Sequence, residues 1–154
     1  MSNVLGGLVM INGTDIWTKY GAFLVEDRRG GHDNMSAILT PSAAKKDVAV
    51  NIREENGEKY SAVLKPRNEA RDVELHFAIY NETKKGWMEK YFAFINMLKT
   101  GVDGWLNIKL TDVDITIRVK YVDAGKFTPL TYLAKEGVQA GKFKVKFREP
   151  NPIL

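Results

Sequence analysis

Arg71–Leu98 reads RDVELHFAIYNETKKGWMEKYFAFINML, and two different periods run through it. Between Asp72 and Tyr80, Val73, Leu75, Phe77 and Ile79 alternate with Asp72, Glu74 and His76, the pattern of a strand with one face buried. Between Lys85 and Leu98, Trp87, Tyr91, Phe94, Ile95 and Leu98 recur at steps of three and four, which predicts a helix whose apolar stripe must cover another element. Asn81 or Thr83 can cap its start by accepting from free amides of the first turn; Gly86 weakens that start, and Gly101 can close the last turn as a left-handed cap. A half-buried strand that hands over to an amphipathic helix makes the class α+β, and the flanking sequence decides how large the sheet is.

The strand period returns downstream. Val113, Ile115, Ile117, Val119 and Tyr121 alternate with Asp114, Thr116, Arg118 and Lys120, and Phe143, Val145 and Phe147 alternate with Lys142, Lys144, Lys146 and Arg148. Shorter strands are predicted at Leu8–Ile11, Ala22–Glu26, Asp47–Arg53, Lys59–Leu64 and Trp105–Leu110. In EENGE, Glu54–Glu58, the pair Asn56-Gly57 suits a type I′ hairpin turn. GVDGW turns the chain out of the helix into a second hairpin, WLNIKL with VDITIRVKYV. The expected fold is mainly β: an antiparallel β-sandwich or barrel-like sheet with one packed α-helix and a protruding β-hairpin.

A length of 154 residues predicts a single domain over 1–154, and 44% hydrophobic with 27% charged residues is the composition of a folded chain rather than a disordered one. No run approaches the ~20 apolar residues of a membrane span, and Met1–Met10 lacks the build of a signal peptide, so the expectation is a soluble protein made and kept in the cytoplasm. The absence of cysteine excludes disulfides, thiolate nucleophiles and sulfur-ligated zinc. A net charge of +4, with both signs dispersed, is milder than dedicated nucleic-acid binders carry.

Catalytic constellations do not assemble from these residues. His32 lies in the polar loop RRGGHDN and His76 on the expected solvent face of a strand, neither with a nucleophile in a recognisable relation to it. Asp112 and Asp114 share an expected strand face, with Asp103 and Asp123 in nearby turns; without calcium-loop spacing they read as strand-edge solvation rather than as metal ligands. Gly6-Gly7 and Gly30-Gly31 match neither a phosphate loop nor a dinucleotide fingerprint, so no cofactor is expected. The basic row Lys142, Lys144, Lys146 and Arg148, extended by Arg118 and Lys120, leaves three readings open: a solubilising face, an electrostatic protein contact, or a nucleic-acid surface. Against the last, Phe143 and Phe147 point to the opposite face and are not offered for base stacking.

VMINGTDIWTKYGAFLVED, Val9–Asp27, resembles the start of the distal tail proteins of long-tailed phages, and Ile11, Asn12, Gly13, Ile16, Tyr20, Gly21, Phe23 and Val25 carry the match. LTPSAAKKDVAVNIREENGEKY looks like the family's approach to a hairpin tip, and the Arg71–Leu98 stretch like its long strand and single helix; about the first two thirds of the chain is covered. The resemblance implies a structural, non-enzymatic protein with a tail-tube-like fold. It implies a hexameric ring that links tube to baseplate, other tail or baseplate proteins as partners, and a place in a virion tail assembled in the host cytoplasm, encoded by a phage or prophage. Larger members append a second domain, whereas this sequence ends at Leu154, so the expected roles are a short distal tail protein, a tube-like protein or an injection-system relative. The expected oligomer interface is the hairpin arm, with Lys46, Asp47, Arg53, Glu55, Asn56, Gly57 and Lys59 fixing register with a neighbour; the other reading of this arm is an ordinary surface hairpin. The competing class is a small β-barrel binding module for nucleic acid or carbohydrate.

Overall fold

The stretch Arg71–Leu98 folds as its two periods require. In the computed structural model, which describes residues 6–25, 33–45, 50–51, 56–59, 63, 67–129 and 139–154, Arg71–Asn81 is one long strand and Lys84–Thr100 one helix. In chain order the elements are β1 (Val9–Ile11), β2 (Thr14–Asp15), α1 (Ile16–Tyr20), β3 (Ala22–Leu24), α2 (Asp33–Leu39), β4 (Val50–Asn51), β5 (Glu58–Lys59), β6 (Arg71–Asn81), α3 (Lys84–Thr100), β7 (Leu106–Leu110), β8 (Ile115–Ala124), β9 (Thr128–Pro129) and β10 (Gln139–Glu149). The main sheet is antiparallel throughout, in the order β2-β1-β7-β8-β10-β6-β3, with β9 against the start of β10; β4 and β5 form a separate two-stranded sheet.

The sheet curls because β8 serves two neighbours in succession. Its first half pairs Ile115–Val119 with β7, and its second half pairs Lys120, Tyr121, Asp123 and Ala124 with β10, leaving Val122 as an extra, unpaired residue. A bulge of this kind bends the strand and raises its twist. The curl brings Ile108, Leu110, Ile117 and Val119 into one buried cluster with Val73, Leu75, Phe77, Val145 and Phe147.

Helix α3 lies on this cluster through its predicted stripe. Trp87, Phe94 and Leu98 are buried, and the Phe94 ring meets Phe77 at 5.3 Å, Tyr20 at 5.4 Å and Phe143 at 6.0 Å. The Trp87 indole donates to the Ile79 carbonyl at 2.7 Å, which satisfies its buried N–H. Thr83 is the cap, its hydroxyl accepting from the Gly86 amide at 3.0 Å. The glycine has a reason in space: a Cβ at Gly86 would stand 2.1 Å from the side-chain Nδ2 of Asn81 and 2.7 Å from the capping Thr83 Oγ1. Gly101 ends the helix with φ 51 and ψ −148, not the left-handed cap expected, in a region that essentially glycine alone adopts.

Other expectations are corrected. One helix was expected, and among the described residues three are present: α1 and α2 are too short to show a period in the sequence. Asp15 caps α1, accepting from the Trp17 amide, and Gly21 ends it in the left-handed region (φ 64, ψ 23), where any side chain would run into the Tyr80 carbonyl at 2.4 Å. The IWTKYG stretch is thus a single helical turn that redirects the chain from the β1–β2 hairpin into β3. Strand β8 begins at Ile115, so Val113 is exposed in the turn, and Asp112 and Asp114 do not share a strand face; Asp114 has φ 52. Type I′ backbone is found at Asn12-Gly13 (φ 51 and 79), which joins β1 to β2. Gly57 has φ 76, while the entry to its turn and most of the strand spans expected at Asp47–Arg53 and Lys59–Leu64 lie outside the described residues.

Candidate functional site on the outer sheet face

Alternation along β10 puts Phe143, Val145 and Phe147 in the core and sends Lys142, Lys144, Lys146 and Arg148 to the outer face, where β6 contributes Asp72 and Glu74. The antiparallel register sets Arg148 opposite Asp72 and Lys146 opposite Glu74. Lys144 reaches Glu74 at 3.4 Å, while Asp72 is shared by Arg148 at 3.0 Å and Lys146 at 3.8 Å. The row that looks purely basic in one strand is therefore interleaved with carboxylates from the next.

On its other side β10 meets β8, and there Lys120 is the direct register partner of Arg148. Two cations stand side by side, an arrangement that destabilises a ladder unless something compensates. Arg118, two residues earlier on the same exposed face, lays its guanidinium over the Trp105 ring at 4.6 Å. Among the described residues neither Arg118 nor Lys120 is paired with a carboxylate.

Of the expected arm residues, Asn56 and Gly57 are exposed at the turn, and Lys59 pairs its backbone with Val50; Lys46, Asp47, Arg53 and Glu55 lie outside the described residues. His32 also lies outside them. His76 is half-buried rather than solvent-facing, and its amide is taken by the Asn34 side chain. Asp114 pairs with Lys109 at 3.8 Å, Asp123 accepts from the Ala124 amide, and no three His, Asp or Glu side chains gather as a ligand set among the described residues. No helix among these residues is long and apolar enough to cross a membrane.

Two polar devices escape sequence reasoning. Asn34 inserts its carboxamide at the end of the β3–β6 ladder, donating to Val25 O at 2.8 Å and accepting from His76 N at 2.7 Å, as a peptide group would. Arg71, the first residue of β6, and Glu149, the last of β10, face inward at the same end of the ladder. There Arg71 Nε donates to Glu149 Oε1 at 2.6 Å and Nη1 to Thr40 O, while Glu149 Oε2 accepts from Ile153 N at 3.3 Å. The second pair had a signal: each inward apolar series ends in a charge, and the charges are opposite.

Near the α3–β8 boundary, burial raises the Tyr91 hydroxyl above its ordinary value, with Tyr121 adding to it; burial and then Asp123 do the same for Tyr121. The Lys99 ammonium lies 5.7 Å over the Tyr121 ring. These groups sit at the aromatic edge of α3, where Phe92 is 67% exposed, off the stripe that covers the core.

No family model and no curated protein sequence matches the chain. Among solved structures, superposition on the SPP1 Dit (gp 19.1) protein covers 94% of this chain with a TM-score of 0.56 at 16% identity. The fold is similar to that of SPP1 Dit. That protein is described as a paradigm of the hub adsorption apparatus in Gram-positive-infecting phages, and this chain spans 50% of the Dit chain's length. The tail-module fold expected from the Val9–Asp27 resemblance is thus the fold found, a curled, mainly β sheet with helices laid on it.

Proposed function

We propose that this chain is a structural component of a phage or prophage tail, that it assembles with copies of itself into a hexameric ring at the tail tube or its distal end, and that the ring links the tube to baseplate proteins. The observation that carries the reading is the likeness to SPP1 Dit over nearly the whole of this chain. The β4–β5 hairpin supports it, since it forms a sheet apart from the main one. Unpaired strand edges need covering, and head-to-tail contact between identical copies covers them in a closed object. The domain needs no catalytic group or cofactor for this work, which is performed in the virion tail after assembly in the host cytoplasm. The arm residues Lys46, Asp47, Arg53, Glu55, Asn56, Gly57 and Lys59 lie at the subunit boundary in this reading.

The test is light scattering with electron microscopy on the wild type and on a variant in which Ile52–Tyr60 is replaced by a short turn, each with tail partners supplied. The variant is expected to keep its fold and lose the ring. Normal rings from the variant remove the arm from the interface; a wild type that stays monomeric with every partner present overturns the ring.

A further inference from the structure

Resting on the ring reading above, we infer that the acidic turn Asp112–Asp114 of one copy seats on the cationic cleft formed by Trp105, Arg118, Lys120 and Pro150 of a second copy of this chain. The turn is a prepared tip. It joins β7 to β8 beyond their last rung, Leu110 opposite Ile115, and its shoulder is tied down: the Thr111 amide donates to Leu8 O at 3.1 Å and the Thr111 hydroxyl to Gly7 O. From this base Val113 stands 45% exposed between two exposed acids. Asp112 has no cation among the described residues, and the Asp114 side chain, 88% exposed, meets only Lys109, at 3.8 Å. An apolar side chain flanked by free carboxylates is complementary to an apolar floor rimmed by cations.

Such a floor lies beside Arg118. A cleft of about 150 Å³, room for a single side chain, is lined by Trp105, Arg118, Pro150 and Asn151. Stacking on Trp105 at 4.6 Å holds the Arg118 guanidinium flat, a geometry that presents its N–H fork to a carboxylate with little further ordering. Lys120 follows two residues along the same face of β8, beside its register partner Arg148. The acids nearest to them are already engaged, Asp72 by Arg148 and Lys146 and Glu74 by Lys144, so Arg118 and Lys120 have no carboxylate of their own among the described residues. Tip and cleft cannot meet within one copy, because four residues of extended strand keep Asp114 about 13 Å from Arg118. The contact is therefore between copies, and since it joins two different surfaces it is heterologous, the kind that closes a ring by rotation. A nucleic-acid backbone would have to continue past the cleft over Asp72 and Asp123, which stand among the cations.

Reciprocal charge reversal tests the contact. The tip variant carries Asp112→Lys and Asp114→Asn, asparagine being at home at the positive φ of position 114; the cleft variant carries Arg118→Glu and Lys120→Glu, both exposed positions. Thermal melts verify that each folds as the wild type does. Under conditions where the wild type assembles, each variant alone is expected to be monomeric by sedimentation, and an equimolar mixture to recover the oligomer, since every tip then meets a cleft of opposite sign. A variant that assembles alone like the wild type overturns the contact and leaves the ring reading standing. Failure of the mixture overturns it too, because the two surfaces then do not face one another. Cleft reversal that abolishes binding to a duplex DNA probe, with the tip variant assembling normally, overturns the contact and assigns the cleft to nucleic acid. A wild type that never assembles removes the ring reading and this contact together.

Discussion

Arg71–Glu149 and Asp72–Arg148 are adjacent rungs of the same antiparallel ladder, built from the same kinds of charge at similar distances, 2.6 and 3.0 Å. The first points into the core, with side chains 8% and 1% exposed; the second points outward, at 39% for Asp72 and 43% for Arg148. One residue of register moves an ion pair from one dielectric regime to another. The buried pair must hold its partners, because a charge left alone there cannot be compensated by water, whereas the surface pair competes with water and salt and is available to rearrange. The inner rung joins Thr40, Arg71, Glu149 and Ile153 into one clamp, while the cations of the outer face stay in contact with solvent.

The sharpest way to break this contrast is Glu149→Ala, which strands the Arg71 guanidinium, one of whose nitrogens, Nη2, already lacks a partner among the described residues. Denaturant melts should show a loss of about 3–5 kcal/mol. The double replacement Arg71→Met with Glu149→Leu should recover much of it, since no charge is then left buried. A single-variant loss of less than about 1 kcal/mol would put the inner pair in the same class as the outer one.

Next in size is a purely apolar change on the inner side. Leu98→Ala, under α3 and fully buried, should cost about 2–5 kcal/mol according to how far the site collapses. A loss below about half a kcal/mol would place that helix face in solvent.

Asp15 sharpens the comparison from a third direction, as a carboxylate held by donors without a cation. Burial pushes its carboxyl up from the ordinary 3.8, and hydrogen bonds from the Thr18 hydroxyl and the Gly7, Trp17 and Thr18 amides outweigh this, leaving it lowered. A folded value below the unfolded one means stabilisation that is present above about pH 4 and is lost as pH falls through the folded value. Asp15→Ala should therefore cost about 1 kcal/mol at neutral pH, and the gap to the wild type should close in acid melts. A gap that persists unchanged in acid would assign the loss to packing instead of the cap.

The smallest effect belongs to the outer rung. Arg148→Ala should change stability by less than about 1 kcal/mol, and by less still at high salt. A loss comparable to that of Glu149→Ala would erase the distinction between the two faces.

Much of this architecture was legible in the residues. Strands β6 and β10 and helix α3 could be read because each repeats its period over several turns or pleats, and burial of one face is the force that imposes such a repeat. Helix α1 could not, since Ile16–Tyr20 is held by its Asp15 cap and Gly21 exit rather than by a stripe. Val113 looked like part of β8 because its apolar side chain is in phase, but the positive φ of Asp114 breaks the strand between them.

The candidate site divides in the same way. That Lys142, Lys144, Lys146 and Arg148 share a face follows from sequence alone, because side chains in a strand alternate whatever the neighbours are. What that face is worth depends on which strands flank β10 and in what register. Those are long-range choices made by the core and by the β8 bulge: they set Asp72 and Glu74 among the lysines, and set Lys120 beside Arg148. They also close Arg71 onto Glu149 across 78 positions of chain, a pairing that no local pattern encodes because it exists only once the two inward faces are sealed from water.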